Sequence, residues 1–249
     1  MSRWTSSPTP PGPKRSSTWE TTISTSPPSS ASDDVARRLI AVRERIERAG
    51  GDLSRVRLIG VTKSFGPETV VAAREAGLTD LGENYAAELE AKVAAAGPGA
   101  DGVVWHFLGA VQRNKVAQLA PLVGLWQSVA RESEGARIAR FAPQARVLVQ
   151  VETTGLPGRN GCPPAVAGEL VARLVDLGLD VRGLMTVAAP GEGVATQSFE
   201  TLSRLADGLG LEERSMGMSD DLEAAVAAGS TMVRIGRALF GARPPVTAA

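Results

Sequence analysis

Six apolar, β-branched runs and two shorter strand candidates alternate along this chain with alanine-rich helical stretches, and this alternation limits the possible folds more than any other feature. Runs that are apolar on both faces suit parallel strands covered by helices. Eight strands, each followed by a helix, predict a single (β/α)8 TIM barrel. The runner-up is an open doubly wound sheet, but no Gly-x-Gly-x-x-Gly motif follows the first strand. The predicted strands are Val56–Val61, Asp80–Leu81, Val103–Leu108, Val123–Val129, Val147–Val151, Val181–Val187, Glu213–Met216 and Met232–Ile235, and the predicted helices are 67–77, 84–96, 112–119, 131–140, 163–178, 195–209, 219–228 and Ala238–Phe240.

The first 32 residues differ in composition from the rest of the chain. Ser, Thr and Pro occupy 22 of these positions, and aliphatic residues are almost absent. Such a segment buries too little apolar surface to offset its chain entropy, so residues 1–32 are predicted to be a disordered tail and residues 33–245 the barrel domain. An initial helix is expected to begin with Ser32-Asp33-Asp34 as its cap and to end at Gly50-Gly51.

Composition excludes several classes of function. The 249 residues contain 27 basic and 27 acidic side chains, without the basic excess of a general nucleic-acid binder. A single cysteine, Cys162, and a single histidine, His106, exclude an intramolecular disulfide and multi-cysteine or multi-histidine metal sites. No stretch approaches the roughly 18 apolar residues of a spanning helix. We therefore expect a cytoplasmic protein without a metal, a nucleic-acid partner or a membrane partner.

In a barrel of this kind, functional groups gather at the carboxyl ends of the strands. Lys63 follows the first predicted strand, where its stem can point into the barrel mouth. Partial burial lowers the pKa of such an amine and makes it available to an aldehyde. A solvated lysine at a strand end is the plain alternative.

The last two predicted strands end in a possible anion site. Ser219 stands where a helix cap belongs, so it either holds an anion or caps the helix. Arg234 lies between two apolar residues and is expected to point into the barrel, the alternative being escape to solvent at the rim. Gly236 allows backbone amides to approach a ligand closely.

At these residues the chain resembles the pyridoxal phosphate homeostasis proteins, the YggS/PROSC family. The resemblance runs in order from about residue 35 to 243, and its segments are specific as an ensemble. They are Val61-Thr62-Lys63, Gly82-Glu83-Asn84-Tyr85, Trp105-His106-Phe107-Leu108-Gly109, Gln112-Arg113-Asn114-Lys115, Arg182-Gly183-Leu184-Met185-Thr186, Gly217-Met218-Ser219-Asp220-Asp221 and Val233-Arg234-Ile235-Gly236.

The resemblance implies a barrel like the N-terminal domain of alanine racemase, with pyridoxal 5′-phosphate held as an aldimine on Lys63. It implies that Ser219 and neighbouring backbone amides hold the phosphate, that Arg234 faces the pyridine nitrogen, and that Asn84 lies near the cofactor. The implied cofactor-binding set is Lys63, Asn84, Met218, Ser219, Arg234, Gly236 and Arg237, with no catalytic residue.

Three functions follow from this site. The first is a non-catalytic protein that buffers pyridoxal phosphate and delivers it to apoenzymes, as a monomer or weak dimer. The second is a racemase-like enzyme. Two expectations argue against it: an arginine beside the ring nitrogen and the lack of a second, β-rich domain. The third is a barrel enzyme for another phosphorylated ligand, with Lys63 as a charge partner.

Four further features could have either a functional or a purely structural role. His106 is expected to be a hydrogen-bonded core group, with Trp105 and Phe107 packed on the opposite side. Cys162 is expected to be an unreactive loop thiol. The segment 112–115 is either a solvated helix end or part of a site. The loop 152–161 carries Arg159 where the family commonly has a lysine, which leaves its role in cofactor transfer open.

Overall fold

The computed structural model describes Met1 and residues 30–191 and 193–242. Eight parallel strands form a closed barrel, with helices outside it. The strands are β1 (Arg57–Val61), β2 (Asp80–Glu83), β3 (Val104–Phe107), β4 (Val123–Val129), β5 (Arg146–Gln150), β6 (Asp180–Met185), β7 (Glu213–Ser215) and β8 (Met232–Ile235). The α-helices of the described residues are α1 (Ala31–Arg48), α2 (Glu68–Glu75), α3 (Ala86–Ala96), α4 (Val116–Leu119), α5 (Glu132–Phe141), α6 (Ala167–Asp176), α7 (Val194–Gly208), α8 (Leu222–Ala227) and α9 (Arg237–Phe240).

The order of the strands confirms the predicted barrel. Each strand pairs in parallel with the next, and β8 closes on β1 with Ile59 opposite Arg234. All eight predicted strands are present, and no strand end differs from the prediction by more than two residues. The doubly wound alternative is wrong because the sheet has no open edge.

Most helix boundaries differ by a few residues from the prediction, and three of the differences concern predicted cap or site residues. Helix α1 begins at Ala31, because the side chains of Ser30 and Asp33 form a reciprocal capping box in place of the expected cap at Ser32. Residues 112–115 are not helical, and 113–115 form a turn, so the helix after β3 has only four residues. The helix after β7 begins at Leu222 instead of 219. Most of the predicted tail lies outside the described residues, so its disorder remains a prediction.

Two apolar layers hold the barrel together. A small cluster fills its interior: Ile59, Leu125, Leu148, Met185 and Met232. A larger cluster lies between the strands and the helices and includes Trp105, Phe107, Trp126, Val233 and Ile235. Along β8 the outward Val233 and Ile235 therefore alternate with the inward Met232 and Arg234, as the pleat requires. In the part of the chain described, no helix is both long and apolar enough to cross a membrane.

Candidate functional site

A cavity of about 590 Å³ opens at the carboxyl ends of the strands. All seven residues of the implied cofactor-binding set line it: Lys63, Asn84, Met218, Ser219, Arg234, Gly236 and Arg237. They come from β1, β2, β7 and β8 and from the segments that follow these strands. The sequence did not point to the apolar walls of the cavity, which are Val61, Leu108, Met185, Val187 and Ala242.

Lys63 lies two residues beyond the end of β1, in a turn. Its partly buried side chain lines the cavity, as expected for a lysine that points into the barrel mouth. The next residue, Ser64, has a φ of 65°, which non-glycine residues seldom adopt. The backbone N–H of Ser64 donates to Glu88 on α3 over 2.8 Å, and the ring of Phe65 contacts that of Phe240, with centroids 5.6 Å apart. The lysine turn is therefore held from two sides.

A buried cluster of charges lies under the Lys63 turn, and the sequence did not predict it. The ammonium group of Lys92 donates to the carbonyl oxygen of Thr62 over 2.7 Å, to Glu83 over a short contact, and to Glu88 over 3.3 Å. The Thr62 hydroxyl also donates to Glu83 over 2.6 Å. Burial raises the pKa of Glu83, whereas the hydrogen bonds from Lys92 and Thr62 lower it. The only sequence signal for this cluster is the i, i+4 spacing of Glu88 and Lys92.

The same cluster ties together two residues of the cavity. Thr62 directly precedes Lys63, and Glu83 directly precedes Asn84. On its other side, Asn84 lies against Gly109, where an added Cβ would overlap the Asn84 carbonyl group. The close packing of Gly109 therefore helps to set the position of the backbone of Asn84.

Arg234 points into the barrel, so the alternative of escape to solvent is wrong. The residue is 5% exposed, and its guanidinium donates to the Ser215 hydroxyl and to the Thr186 carbonyl oxygen, both over 2.7 Å. Both acceptors are neutral, and no ion pair involves Arg234 among the described residues. Burial lowers the pKa of Arg234 to about 10, which leaves it a cation at neutral pH. A buried cation bonded only to neutral groups favours an acceptor in the cavity beside it.

One of the two predictions for Ser219 was that it caps the helix that follows β7. The structure shows that it does not. The N-cap position of α8 is Asp221, and the Ser219 hydroxyl instead accepts from the backbone N–H of Ala238 in α9 over 3.3 Å. A Cβ on Gly236 would lie 3.2 Å from the carbonyl oxygen of Val61. Ser219 therefore lies where the segments after β7 and β8 meet.

The two acids beside Ser219 are both engaged. Asp220 pairs with the guanidinium of Arg237 at the exposed rim, and Asp221 accepts from the backbone N–H of Met218. The charge of Asp220 is thus matched by a cation. Because the Met218 amide already has a partner, Met218 offers the cavity its partly exposed side chain.

The loop 152–161 folds back onto the barrel. Arg159 donates to the carbonyl oxygens of Val187 and Ala188 over 2.7 and 3.2 Å. Asn160 and Gln150 are joined by two hydrogen bonds. Cys162 is buried, and burial raises the pKa of its thiol to about 11, as expected for an unreactive group.

Two other regions lie away from the cavity. Gln112 and Asn114 are exposed and do not line it, which agrees with a solvated segment. A larger cavity, of about 830 Å³, opens at the amino ends of the strands beside Arg57, Glu213 and Arg214, and contains none of the predicted site residues. No cluster of three potential metal ligands occurs in the described ranges.

The fold and this cavity define the class of protein. The family model described as alanine racemase, N-terminal domain, matches residues 38–244. A Pseudomonas aeruginosa protein named pyridoxal phosphate homeostasis protein is 38% identical over 227 residues, covering 86% of this chain and 96% of that protein. The protein of the same name from Escherichia coli K12 is 35% identical over 229 residues, covering 85% and 97%. The chain therefore belongs to the alanine racemase N-terminal domain family and, within it, to the pyridoxal phosphate homeostasis proteins.

Solved structures support the same assignment. PipY from Synechococcus elongatus, with PLP bound, is 30% identical with a TM-score of 0.72, covering 83% of this chain and all of PipY. Alanine racemase from Clostridium difficile is 17% identical with a TM-score of 0.68, covering 86% of this chain and 58% of the enzyme. The likeness to the racemase shows the barrel fold alone.

Proposed function

We propose that this protein binds pyridoxal 5′-phosphate and serves its homeostasis, as a buffer and carrier of the cofactor without catalytic turnover. One observation carries the proposal: Lys63, Ser219 and Arg234, from three different strand ends, line a single cavity. The named relatives and the PLP-bound PipY structure support the same cofactor.

The residues of the cavity fit each part of the cofactor. The aldehyde of pyridoxal phosphate can form a carbon–nitrogen double bond with a lysine amine, with release of one water, and Lys63 supplies that amine. Ser219 and the amides at Gly236 and Arg237 would hold the phosphate, with Asp220 neutralised by Arg237. Arg234 would meet the pyridine nitrogen, an acceptor that suits a buried cation. Asn84 and Met218 would contact the remaining edges.

The charges of the cavity support binding without turnover. A cation beside the pyridine nitrogen disfavours protonation of that nitrogen and weakens the ring as an electron sink. Among the described lining residues, Lys63 supplies an amine and Asp220 a carboxylate, and Asp220 is already paired with Arg237. Racemisation needs an acid and a base on opposite faces of the substrate, and this lining does not supply that pair.

We also propose a cytoplasmic location, a monomeric or weakly dimeric state, and apoenzymes that require pyridoxal phosphate as recipients. Arg159, bonded to the carbonyl oxygens beside Val187, keeps a positive charge near the cavity wall but lacks the amine needed for covalent transfer. The recipients would therefore take the cofactor from Lys63 without a relay through this loop.

The experiment is borohydride fixation followed by intact mass and peptide mapping. The chain has four lysines, Lys14, Lys63, Lys92 and Lys115, so the labelled position is easily resolved. We expect one reduced cofactor per chain on Lys63, no label in Lys63→Ala, and full label in Lys115→Ala, which changes a lysine outside the cavity. An unlabelled wild-type protein, or equal label on Lys115, would contradict the proposal. Exchange of amino-acid α-protons in deuterated water would contradict the absence of turnover.

A further inference from the structure

A chain of polar side chains crosses the interior of the barrel from the cavity to its opposite end. Arg234 donates to Ser215 over 2.7 Å, and the Ser215 hydroxyl donates to Gln127 over 2.7 Å. The Gln127 amide then lies 2.7 Å from Nδ1 of His106, whose Nε2 lies 2.9 Å from a carboxylate oxygen of Asp80. Strands β8, β7, β4, β3 and β2 each contribute one member.

The direction of every hydrogen bond in this chain is fixed by chemistry. A guanidinium can only donate, so the Ser215 hydroxyl accepts from Arg234 and gives its own proton to the Gln127 oxygen. The Gln127 nitrogen can only donate, so Nδ1 of His106 accepts, and the ring proton lies on Nε2, facing Asp80. The bonds therefore run one way, from a cation at the cavity to a carboxylate at the barrel floor.

The middle of the chain has no access to water. Ser215, Gln127 and His106 are each 0% exposed, whereas the Asp80 side chain is 22% exposed. The surrounding interior is the apolar cluster of Ile59, Leu125, Leu148, Met185 and Met232. A buried donor or acceptor that loses its neighbour in such surroundings has no solvent to replace it. Each member therefore restricts the orientation of the next.

The end of the chain that matters for the cofactor is the guanidinium of Arg234. Its Nη1 is fixed by Ser215, and its Nη2 is fixed by the Thr186 carbonyl oxygen. Two points fix the plane of the guanidinium, and its remaining donors are left for the cavity that Arg234 lines. Within this hydrogen-bonded chain the nearest carboxylate, Asp80, lies four links from Arg234. The charge of Asp221 attracts the guanidinium but forms no ion pair with it.

We propose that His106, Gln127 and Ser215 are positioning residues that hold the Arg234 guanidinium against the ring nitrogen of bound pyridoxal phosphate. This inference rests on the proposed function of the cavity. It gives the buried histidine a role beyond filling the core: a change at His106, three hydrogen bonds away from Arg234, alters the electronic state of a ligand that His106 does not touch.

The test compares the absorbance spectrum of the bound cofactor in His106→Phe with that in Arg234→Leu. The phenyl ring keeps a flat aromatic side chain at this position, slightly larger than the imidazole, and ends the hydrogen-bonded chain after Gln127. We expect the spectrum of His106→Phe to move in the direction of Arg234→Leu, and cofactor release to become roughly three- to tenfold faster, the range for one weakened hydrogen bond. His106→Gln, whose amide can accept and donate as the ring does, should restore the wild-type spectrum.

Trp126→Phe is the matched control. Trp126 adjoins Gln127 on β4 but lies in the outer cluster, and its indole N–H has no hydrogen-bond partner among the described residues. This variant loses packing without touching the chain, so its spectrum should stay that of the wild type. Ser215→Ala removes the oxygen that accepts from Arg234 and repeats the experiment if His106→Phe does not fold.

The outcomes separate this inference from the proposed function. Borohydride label on Lys63 in every variant, with a wild-type spectrum in both His106→Phe and Ser215→Ala, would leave the cofactor site intact and overturn the positioning role. Absence of label in the wild-type protein itself would overturn the cofactor site and the inference with it. A second readout without cofactor is the side-chain NMR signal of Arg234, which should broaden in His106→Phe and stay sharp in Trp126→Phe.

Discussion

The ammonium group of Lys92 lies 2.7 Å from the carbonyl oxygen of Thr62, the peptide group that leads into Lys63. A buried cation on α3 therefore holds the backbone of the residue before Lys63. The same ammonium group pairs with Glu83, so the ends of β1 and β2 are tied to one side chain.

Removing the cation of this cluster should cost stability and loosen the lysine turn. In Lys92→Met, the fully buried Glu83 loses its cationic partner, so its carboxylate either stays charged and unpaired or takes up a proton. We expect a loss of about 3–5 kcal/mol in the free energy of unfolding, the range for breaking one side of a buried pair. Urea unfolding measures it. The double variant Lys92→Met/Glu83→Gln should recover part of the loss, and no recovery would argue against the ion pair as the cause.

Ser219→Ala should weaken binding of pyridoxal phosphate but not of pyridoxal, which lacks the phosphate. The hydroxyl of Ser219 lies between the segments after β7 and β8 and lines the cavity, where its O–H would donate to the phosphate in the proposed site. A hydrogen bond to a charged group contributes about 1.5–3 kcal/mol, so we expect the Kd for pyridoxal phosphate to rise by roughly 10- to 100-fold. Fluorescence titration measures both ligands. An equal loss for pyridoxal would place Ser219 away from the phosphate.

His106 should make the stability of the protein fall at acid pH. Burial lowers the pKa of the ring below its ordinary 6.5, and the Asp80 carboxylate, which raises it, only partly offsets this, while Arg57 and Arg146 lower it further. Below about pH 6.5 the unfolded chain binds a proton that the folded chain does not, so the free energy of unfolding falls with decreasing pH. The pKa shift therefore adds no penalty above pH 6.5, and its cost grows as the pH falls toward the folded pKa.

The measurement is the difference in unfolding free energy between the wild type and His106→Gln, which does not titrate. As the pH falls from 7.5 to 5.5, the unfolding free energy of the wild type should decrease relative to that of His106→Gln, by at most about 1.4 kcal/mol per pH unit. A shift in the opposite direction would mean that the folded protein holds a charged imidazolium paired with Asp80.

Gly109→Ala should disturb Asn84 through the backbone. The added Cβ would overlap the Asn84 carbonyl group, so one of the two segments must move. We expect a loss of about 1–3 kcal/mol in the free energy of unfolding, with weaker cofactor binding. Gly208→Ala is the control, because that glycine lies in α7 with open space around it. This variant should be slightly more stable than the wild type, since alanine favours the helix more than glycine does. Equal effects of the two substitutions would show that the contact with Asn84 has no consequence.

The sequence was sufficient for the barrel and for the general location of its site. Strand patterns are local, so the six apolar runs and the two shorter candidates predicted the eight strands to within two residues at each end. In a parallel barrel all carboxyl ends meet at one face, and this rule alone brought Lys63, Ser219 and Arg234 together. The alternation Val233-Arg234-Ile235 was enough to turn the arginine inward, because pleated neighbours face opposite sides.

Only the tertiary structure decided which partners these side chains have. The role of Ser219 depended on where α8 begins, and that boundary is set by contacts beyond the local sequence. Lys92 and Thr62 are 30 residues apart, and Ser215 and Gln127 are 88 apart, so no local pattern links either pair. Periodicity determines which face of an element is buried, but the register between strands determines which buried polar groups meet. That register arises from packing of the whole barrel. It determines both the buried cluster under Lys63 and the order of hydrogen bonds that leads from Asp80 to Arg234.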